Sequence, residues 1–595
     1  NAKMTSKLMN FATNSVKSDT AKIEINTIDQ GKIAFSSTNV KAFVDFDKRT
    51  GDFKANIPGQ LTDFGYNQFA SSMDQYFWDM DKQTILLTKS PRMASSYFIS
   101  RRPDMDGLKF NSDKALFDIK EGIIYCENVP YIDVADSRVF PKDGKVNIGK
   151  DADIFTLQEA KLLAARDNKY HDIFPATLKI LGRKAMSGTG KYKFIDKNKT
   201  GQIIFFDKIR VMADSTVAAT GYIKDSINFK IYPMIGYKGE MELNSNNPHL
   251  KFNGYVKPLH TFKIGSNWIR YKDRPDPKDI VVDIREPKND ENKFVSVSMN
   301  SALDTALIYP TFFNFKRKYA DPEFTNDTGI MIYDEPTTEF RVGSRERILN
   351  GAPRGSIMTF NETTRMITTQ GPINMGFEIP VLDPLVAGKM YKKESDSSYT
   401  LDAFMALDIL LPKDAYAKMI AVIMEKGAGA PGIPYTDETF KYALGEFLTD
   451  KRLESTMKRA TEVGELTVSE DIKRKFIFSE TKFTYSPKNR SWFSSEPIGI
   501  SVINGQQINK RFDSRMQMQV KRSGVSFKIY FEISKYDWFY FEYFRNNLMA
   551  VSTDKDFNDL IRDKFSEVKK ANYTIRPGTT RTVAKFVEKF DDSLE

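Results

Sequence analysis

The sequence predicts a mainly β protein, an elongated stack of β-hairpin repeats with a small helical insert and a C-terminal strand–helix cap. Three observations support this fold class. Apolar residues make up 41% of the 595 residues, which is enough for packed cores and argues against global disorder. Phe and Tyr, which strands favour, are abundant. Short apolar segments separated by polar turns recur along most of the chain.

A strand–turn–strand pattern occurs seven times. The copies cover 42–56, 76–87, 115–126, 192–206, 330–342, 356–368 and 483–495. Six turns contain an Asp or Asn that we predict to open the turn: Asp47, Asp81, Asp118, Asp196, Asp334 and Asn361. Such side chains accept hydrogen bonds from the backbone two residues on and so favour turns. The pattern therefore predicts hairpins, at irregular spacing.

Further segments alternate apolar and polar residues as half-buried strands do. They cover 144–154, 217–247, 475–486 and 524–547. The last segment predicts two strands about the turn "SKYD". Its second strand is aromatic on both faces, with Trp538 and Tyr540 on one face and Phe539 and Phe541 on the other.

Helical periodicity is confined to a few segments. Segments 411–427 and 436–464 have apolar residues at helical spacing and predict the helical insert 411–464. Segment 554–568 predicts a terminal helix. The apolar stripe of that helix consists of Phe557, Leu560, Ile561 and Phe565.

Two further predictions concern segments with weaker patterns. Segment 155–166 predicts a helix because Thr156 and Glu159 have the spacing of a capping box. The tail 572–595 is predicted to be weakly ordered, as chain termini often are.

Polar connectors that contain proline suggest the domain limits. They lie at 271–279 and 285–293, and a hinge-like loop follows at 427–434. The predicted regions are a β-hairpin repeat region 1–270, a second β region 271–410, the helical insert 411–464, and C-terminal β-hairpins with a terminal helix and tail, 465–595.

Charge and cysteine content narrow the function classes. The net charge of +10 comes from 88 basic and 78 acidic residues that are interleaved, which indicates a solvated mixed-charge surface rather than a nucleic-acid groove. The one cysteine, Cys126, cannot form a disulfide within the chain and is predicted to be a small buried hydrophobe. The longest apolar stretch, near 415–424, is far shorter than a membrane span.

Motifs for cofactors and metals are incomplete. In "MSGTGKYKF" (186–194) the glycines lack the spacing of a phosphate loop, and a turn before a hairpin explains them better. Asp104 and Asp106 form a calcium-loop fragment without its terminal Glu, so an Asp-Gly turn is the preferred interpretation. The three histidines lack metal-ligand spacing. We predict no cofactor and no metal site.

The segment "YFWDMDKQTILL" (76–87) allows two interpretations. In a strand, Asp79 and Asp81 share a face with Cβ atoms roughly 7 Å apart, which would suit an acid pair beside an aromatic stacking platform. Similar Asp residues in the other copies favour a hairpin, in which Tyr76 and Trp78 share one face and Asp81 starts the turn. No catalytic residue is assigned. The candidate binding residues are Tyr76, Trp78, Asp79, Asp81, Trp538 and Tyr540.

Two resemblances add to this interpretation. The segment "ALFDIKEGIIYCENVPYIDVADSRVFPKDGKVNIG" (115–149) resembles the repeats of OstA/LptA-type β-jellyroll proteins, which implies jellyroll-like repeats. The chain as a whole, with "NQFASSMDQYFWDMD" (67–81) and "GRKAMSGTGKYKFID" (182–196), resembles large uncharacterised envelope proteins of Bacteroidota. That resemblance transfers no activity. It implies a Gram-negative envelope location, with Asn1 as an internal start of a longer protein.

We therefore predict a non-catalytic periplasmic or outer-membrane-associated scaffold or binding protein, part of an envelope assembly, secretion or lipid-transport machine. Its partners would be envelope proteins or lipid, and not nucleic acid; a sheet can hold them along its face or at unpaired edges. No transmembrane span is predicted in this chain. The alternative is a polysaccharide-binding or polysaccharide-cleaving β-repeat protein that uses an aromatic–carboxylate cleft.

Overall fold

The computed structural model describes residues 2–27, 33–305, 307–375, 380–521, 524–564, 568 and 573–594. Within these residues there are 44 β-strands and six α-helices. The predicted mainly β class, with a helical insert and a C-terminal strand–helix cap, is confirmed. Contacts divide the chain into two compact units: unit 1 is 1–255 with 271–280, and unit 2 is 256–270 with 281–595.

Unit 1 consists of strands joined by short turns. Its strands are β1 (Ala2–Ser6), β2 (Asn10–Ala12), β3 (Ser15–Asn26), β4 (Ile33–Asp45), β5 (Thr50–Ala55), β6 (Thr62–Phe64), β7 (Phe69–Ser71), β8 (Gln75–Asp79), β9 (Thr84–Thr88), β10 (Tyr97–Ser100), β11 (Lys109–Asn111), β12 (Lys114–Asp118), β13 (Ile123–Glu127), β14 (Ile132–Val134), β15 (Ser137–Phe140), β16 (Val146–Ile148), β17 (Leu157–Ala164), β18 (His171–Gly182), β19 (Ala185–Ile195), β20 (Gly201–Val211), β21 (Val217–Ile223), β22 (Lys230–Tyr232) and β23 (Ile235–Asn244). The chain crosses the limits of the units within β24 (Lys251–Pro258) and β25 (Ile269–Asp273).

Unit 2 combines strands with the helices. Its strands are β26 (Val282–Asp283), β27 (Ser296–Ser301), β28 (Ile308–Asn314), β29 (Glu323–Asn326), β30 (Ile330–Asp334), β31 (Glu339–Gly343), β32 (Ile357–Asn361), β33 (Met366–Pro372), β34 (Leu385–Lys393), β35 (Thr400–Leu407), β36 (Phe476–Ser486), β37 (Ser491–Ser494), β38 (Ile498–Ile503), β39 (Gln506–Phe512), β40 (Ser514–Lys521), β41 (Gly524–Glu532), β42 (Trp538–Phe544), β43 (Asn547–Ser552) and β44 (Thr574–Pro577). The helices are α1 (Arg345–Asn350), α2 (Lys413–Lys426), α3 (Glu438–Gly445), α4 (Asp450–Val463), α5 (Lys555–Asp563) and α6 (Thr580–Asp592).

Successive hairpins of unit 1 alternate between two layers. Layer A is the antiparallel run β3–β4–β5–β8–β9–β12–β13–β16. Layer B is the antiparallel run β6–β7–β10–β11–β14–β15–β17. The rings of Phe64 on β6 and Phe117 on β12 lie 5.3 Å apart, edge to face, so the inward faces of the two layers enclose a common core. The predicted hairpins 42–56, 76–87 and 115–126 all belong to layer A.

In several hairpins, the side chain that accepts a hydrogen bond from the turn backbone belongs to the last residue of the first strand. Strand-terminal acceptors bond the backbone N–H three residues on, and they are Asp45, Asp79, Asp118 and Asn361. The predicted turn roles of Asp118 and Asn361 are confirmed. Asp47 and Asp81 lie two residues after the acceptor, inside their turns, so their assignment as opening residues is wrong. A strand-end carboxylate reaches the turn amides directly, whereas a side chain within the turn points outward.

Most of segment 155–166 forms strand β17, so the predicted helix is wrong. Glu159 has φ of 51°, and β17 contains a bulge between Leu157 and Ala160. The extra residue of the bulge places two buried side chains three positions apart, which imitates helical spacing. Glu159, taken as part of a capping box, instead pairs with Lys142.

The glycines of "SGTG" lie inside β19 and not in a turn before a hairpin, so that prediction is also wrong. A Cβ atom at Gly188 would lie only 2.2 Å from the carbonyl oxygen of Thr177 on β18. The close approach of the two backbones therefore requires glycine there.

The helical insert is fixed to the rest of unit 2 by polar and aromatic contacts. Both carboxylate oxygens of Glu446, just after α3, accept the Gly355 N–H, at 3.0 and 3.2 Å. The Arg347 guanidinium on α1 lies 3.9 Å from the centroid of the Tyr442 ring. The apolar side of the insert packs on strands β34 and β35 in a core that includes Phe404, Ala406, Phe440, Leu444, Leu453 and Ala460.

The C-terminal segment has regular structure, so the prediction of a weakly ordered tail is wrong for 573–594. Strand β44 pairs in parallel with β43. Helix α6 buries three side chains, Val583, Phe586 and Phe590, against Phe493, Tyr530 and Tyr540. On α5, Phe557 and Ile561 are buried as predicted, and Phe565 lies outside the described residues.

The four predicted regions stay a prediction about domain organisation. Region 1–270 belongs to unit 1 apart from 256–270, and the regions from 271 onward belong to unit 2 apart from 271–280. In the described parts of the chain, no helix combines the length and apolar character needed to cross a membrane.

A buried carboxyl lies after β29 in unit 2. Asp327 is 1% exposed, and its Oδ2 accepts hydrogen bonds from Thr325 Oγ1 at 3.1 Å and Thr369 Oγ1 at 3.4 Å. Its Oδ1 has no partner among the described residues. Burial, with a smaller contribution from the charge of Glu323, raises the pKa of Asp327 to about 7.

We expect Phe64→Ala to lower the stability of unit 1 by about 3–5 kcal/mol, because the ring is fully buried between the two layers and contacts three aromatic neighbours. The matched control is Phe205→Ala, since Phe205 is 53% exposed. Urea unfolding followed by circular dichroism measures both variants. Similar losses of stability in the two would contradict the layered core.

Asp327→Asn should remove one component of the pH dependence of unfolding. The folded-state pKa near 7 lies above the ordinary value of 3.8, so the stability that Asp327 contributes is complete below pH 3.8 and is lost as the pH rises through 7. Relative to Asp327→Asn, the wild-type free energy of unfolding should therefore fall between pH 4 and 8, by at most about 4 kcal/mol. Urea titrations across this range test it, and parallel curves for the two proteins would contradict it.

Candidate functional site

The segment 76–87 is a hairpin of layer A, formed by β8 and β9. Tyr76 is 2% exposed, and its ring lies 5.3 Å from that of Phe35 in the core. Its hydroxyl hydrogen-bonds Thr62 Oγ1 at 2.7 Å, and burial raises its pKa to about 12. Trp78 points to the same side and is half-buried beside Phe53. The two aromatic residues proposed for binding thus face inward, and Phe77 is the member of the triplet that faces outward.

The two carboxylates of the hairpin make contacts with different partners. Asp79 accepts the Lys82 N–H at 3.0 Å, and this bond and the Lys82 ammonium hold the pKa of Asp79 below its ordinary value. Asp81 is exposed and lies 2.6 Å from Arg49 Nε. A general acid of a glycosidase needs a raised pKa, whereas the contacts of Asp79 lower its pKa. The arrangement therefore stabilises a turn.

The second predicted pair lies on β42 in unit 2. Tyr540 is fully buried, with its ring 5.2 Å from that of Phe586 on α6 and its hydroxyl donated to Glu542 Oε2 at 2.8 Å. Trp538 is half-buried, with its ring 5.6 Å from that of Tyr530. The aromatic face that the sequence suggested for a partner is covered by the C-terminal helix of the same chain.

An apolar row crosses the outward face of layer A. Strand register places these outward residues opposite one another in order: Lys17, Phe43, Asp52, Phe77, Leu86, Leu116, Tyr125 and Asn147. We call Phe43, Phe77, Leu86, Leu116 and Tyr125 the apolar row. Phe77 and Leu116 are 41% and 38% exposed, and the other three are half-buried. Neighbouring strands lie about 4.8 Å apart, so the apolar row is about 24 Å long.

A polar row lies beside the apolar row on the same face. It consists, in register order, of Lys41, Lys54, Gln75, Thr88, Lys114 and Glu127, and we call it the lysine row. A groove of about 750 Å³ is lined by members of both rows. A second groove of about 480 Å³ is lined by Leu116, Tyr125 and Phe155. Apolar side chains at neighbouring positions on one sheet face, next to a polar border, are typical of an interaction surface.

The charges around the rows are partly paired. Lys41 lies 3.6 Å from Asp19, and Lys114 lies 2.8 Å from Glu127. Within the described part of the chain, Lys54 makes no ion pair. Lys17 Nζ lies 5.1 Å from the centroid of the Phe43 ring. At the other end the Tyr125 hydroxyl donates to Glu121 at 2.6 Å, and this bond raises the pKa of Tyr125 to about 12. Lys17 and Lys54 lie at the end of the surface near β3 and β5, together with the exposed carboxylate of Asp52.

The apolar row is hard to recognise from the sequence alone. Each hairpin shows only one or two apolar residues at positions that alternation assigns to solvent, such as Phe77 and Leu116. A single exposed apolar residue is common on any protein. The row emerges only when the register between hairpins is known.

Cysteine and histidine residues occupy structural positions. Cys126 is 1% exposed, as predicted for a small buried hydrophobe, and burial raises its pKa. His171 is buried and bonds the Asn247 carbonyl at 2.6 Å, and burial lowers its pKa. His260 bonds Ser266 Oγ at 2.6 Å. Among the described residues, no cluster of three His, Cys, Asp or Glu side chains could hold a metal ion.

Comparison with known proteins assigns no relationship: no family model matches the sequence, and no curated protein matches it.

We expect Asp79→Ala to speed amide exchange at Lys82 several-fold, because the mutation removes the acceptor that holds the turn. Asp81→Ala should leave that rate unchanged, since it removes only an exposed ion pair with Arg49. Hydrogen–deuterium exchange with fragmentation of the peptide 76–88 resolves the amide. Equal rates in the two variants would show that Asp79 does not hold the turn.

Proposed function

We propose that the protein is a non-catalytic scaffold of an envelope assembly and that unit 1 docks a partner protein on the apolar row. The observation that carries this proposal is the row itself. The outward face of an antiparallel sheet is normally polar, and here four apolar side chains, from Phe77 to Tyr125, follow one another in register, with Phe43 beyond Asp52. Covering such a row removes apolar surface from water, which favours association.

The partner's contact segment would be an amphipathic helix with an acidic border. A row of about 24 Å matches about 16 helical residues at 1.5 Å per residue. The grooves along the row suit an apolar helix face, and acidic side chains on one flank would meet Lys54 and Lys17. Opposite charges at the border of an apolar contact set orientation and association rate more than affinity.

The location of this assembly at a Gram-negative cell envelope is proposed from the resemblance of the chain, through the segments 67–81 and 182–196, to envelope proteins of Bacteroidota. A polysaccharide-binding or polysaccharide-cleaving protein stays the alternative, but the contacts of Tyr76, Trp78, Asp79 and Asp81 do not favour it. Fractionation of source cells tests the location, and recovery in the cytosolic fraction alone would contradict it.

The docking proposal is tested with a photo-crosslinking amino acid at Leu116 in source cells. We expect one adduct of defined mass, and at least a tenfold loss of it on adding Phe77→Asp, because a buried charge would be placed in the contact. Phe205→Asp is the matched control, since Phe205 is also exposed, at 53% against 41% for Phe77, and lies on β20 outside the apolar row.

The outcomes separate docking from loss of fold. An adduct that persists in Phe77→Asp would contradict docking on the apolar row. An adduct lost in both variants, with unchanged circular dichroism, would show that the contact does not depend on this row and would also contradict it.

A further inference from the structure

Unit 2 contains a cavity that is independent of the apolar row. Its volume is about 720 Å³, within the range of pockets that hold small molecules. It lies between the ends of β29, β33 and β35, the pair β40–β41, and the end of α3. The helical insert completes it, because Glu446 and Phe447 of the insert line one side.

The walls of the cavity are apolar and adaptable. Three phenylalanines and three methionines line it: Phe324, Phe447, Phe527, Met375, Met405 and Met518. Met518 and Phe527 are opposite one another in the β40–β41 pair, so they form a continuous surface. Methionine side chains adjust to ligands of different shape and contact aromatic rings favourably.

The polar border of the cavity is electrically balanced. Glu323 pairs with Lys316 at 3.3 Å. Glu446 bonds the Gly355 N–H and lies in the field of Arg347 and Arg354. Asn326 and Ser356 supply uncharged hydrogen-bonding groups on the same border. The lining carboxylates Glu323 and Glu446 are thus offset by nearby cations, and burying a further charged group against the apolar walls would be costly.

We propose that this cavity binds an uncharged, largely apolar small molecule with one hydrogen-bonding end, such as a long-chain alcohol. The apolar chain lies against the Phe and Met side chains. Its polar end lies at the border, where Asn326 and Ser356 offer a donor and an acceptor. This binding is separate from docking on unit 1, because it uses residues of unit 2 alone.

The test uses the neutral fluorophore N-phenyl-1-naphthylamine with the full chain. We expect saturable fluorescence from one site. Decanol should displace the fluorophore at concentrations about tenfold lower than decanoate or decylamine, which have the same chain but carry a charge at neutral pH. Displacement by either charged compound at concentrations equal to decanol or lower would overturn the proposal.

Substitutions locate the site. Val386 is half-buried and lines the cavity, so Val386→Trp should weaken fluorophore binding about tenfold by filling the space. Ile332→Trp is the matched control, because Ile332 is half-buried on β30 and does not line the cavity. Asn326→Trp, at an exposed border residue, repeats the test if Val386→Trp does not fold. Unchanged binding in the folded cavity variants would overturn the proposal.

Discussion

The edge-to-face packing of aromatic rings between layers A and B is the constraint on which unit 1 depends. Phe64 from layer B contacts Phe117 of layer A and Phe35 of β4 at ring distances of 5.3 and 5.7 Å. Because alternate residues of every strand point toward this core, the residues between them face outward. This alternation explains why Tyr76 and Trp78 face inward and why Phe77 faces outward. The same alternation aligns the outward side chains of neighbouring strands into rows.

The sequence allowed prediction of those features that single strands display. The layer A hairpins have strands of five or more residues and strand-end carboxylates, and they were recognisable. The layer B hairpins have strands of three or four residues, such as Thr62–Phe64 and Phe69–Ser71, which are too short to show alternation. The bulge in β17 led to the wrong prediction of a helix at 155–166, because one inserted residue changes the spacing of buried side chains from that of a strand to that of a helix.

The candidate sites could not be predicted from local sequence patterns, because they depend on contacts between segments that are far apart in the chain. The apolar row joins residues from 43 to 125 through six strands, and its existence depends on register between hairpins. The local sequence suggests Tyr540 as a binding residue because the helix that covers it begins forty residues later, at Thr580. The carboxylates Asp79 and Asp81 looked like a pair because they are close in sequence, yet their hydrogen bonds lead to different partners.

The packing of α6 on β42 has a consequence for folding during synthesis. Tyr530 and Tyr540 are translated well before Val583, Phe586 and Phe590, so during synthesis this aromatic face has no partner in the chain already made. An uncovered aromatic sheet face is a site of misassembly in a growing chain. The β41–β42 hairpin therefore completes its packing only after the α6 segment has emerged from the ribosome.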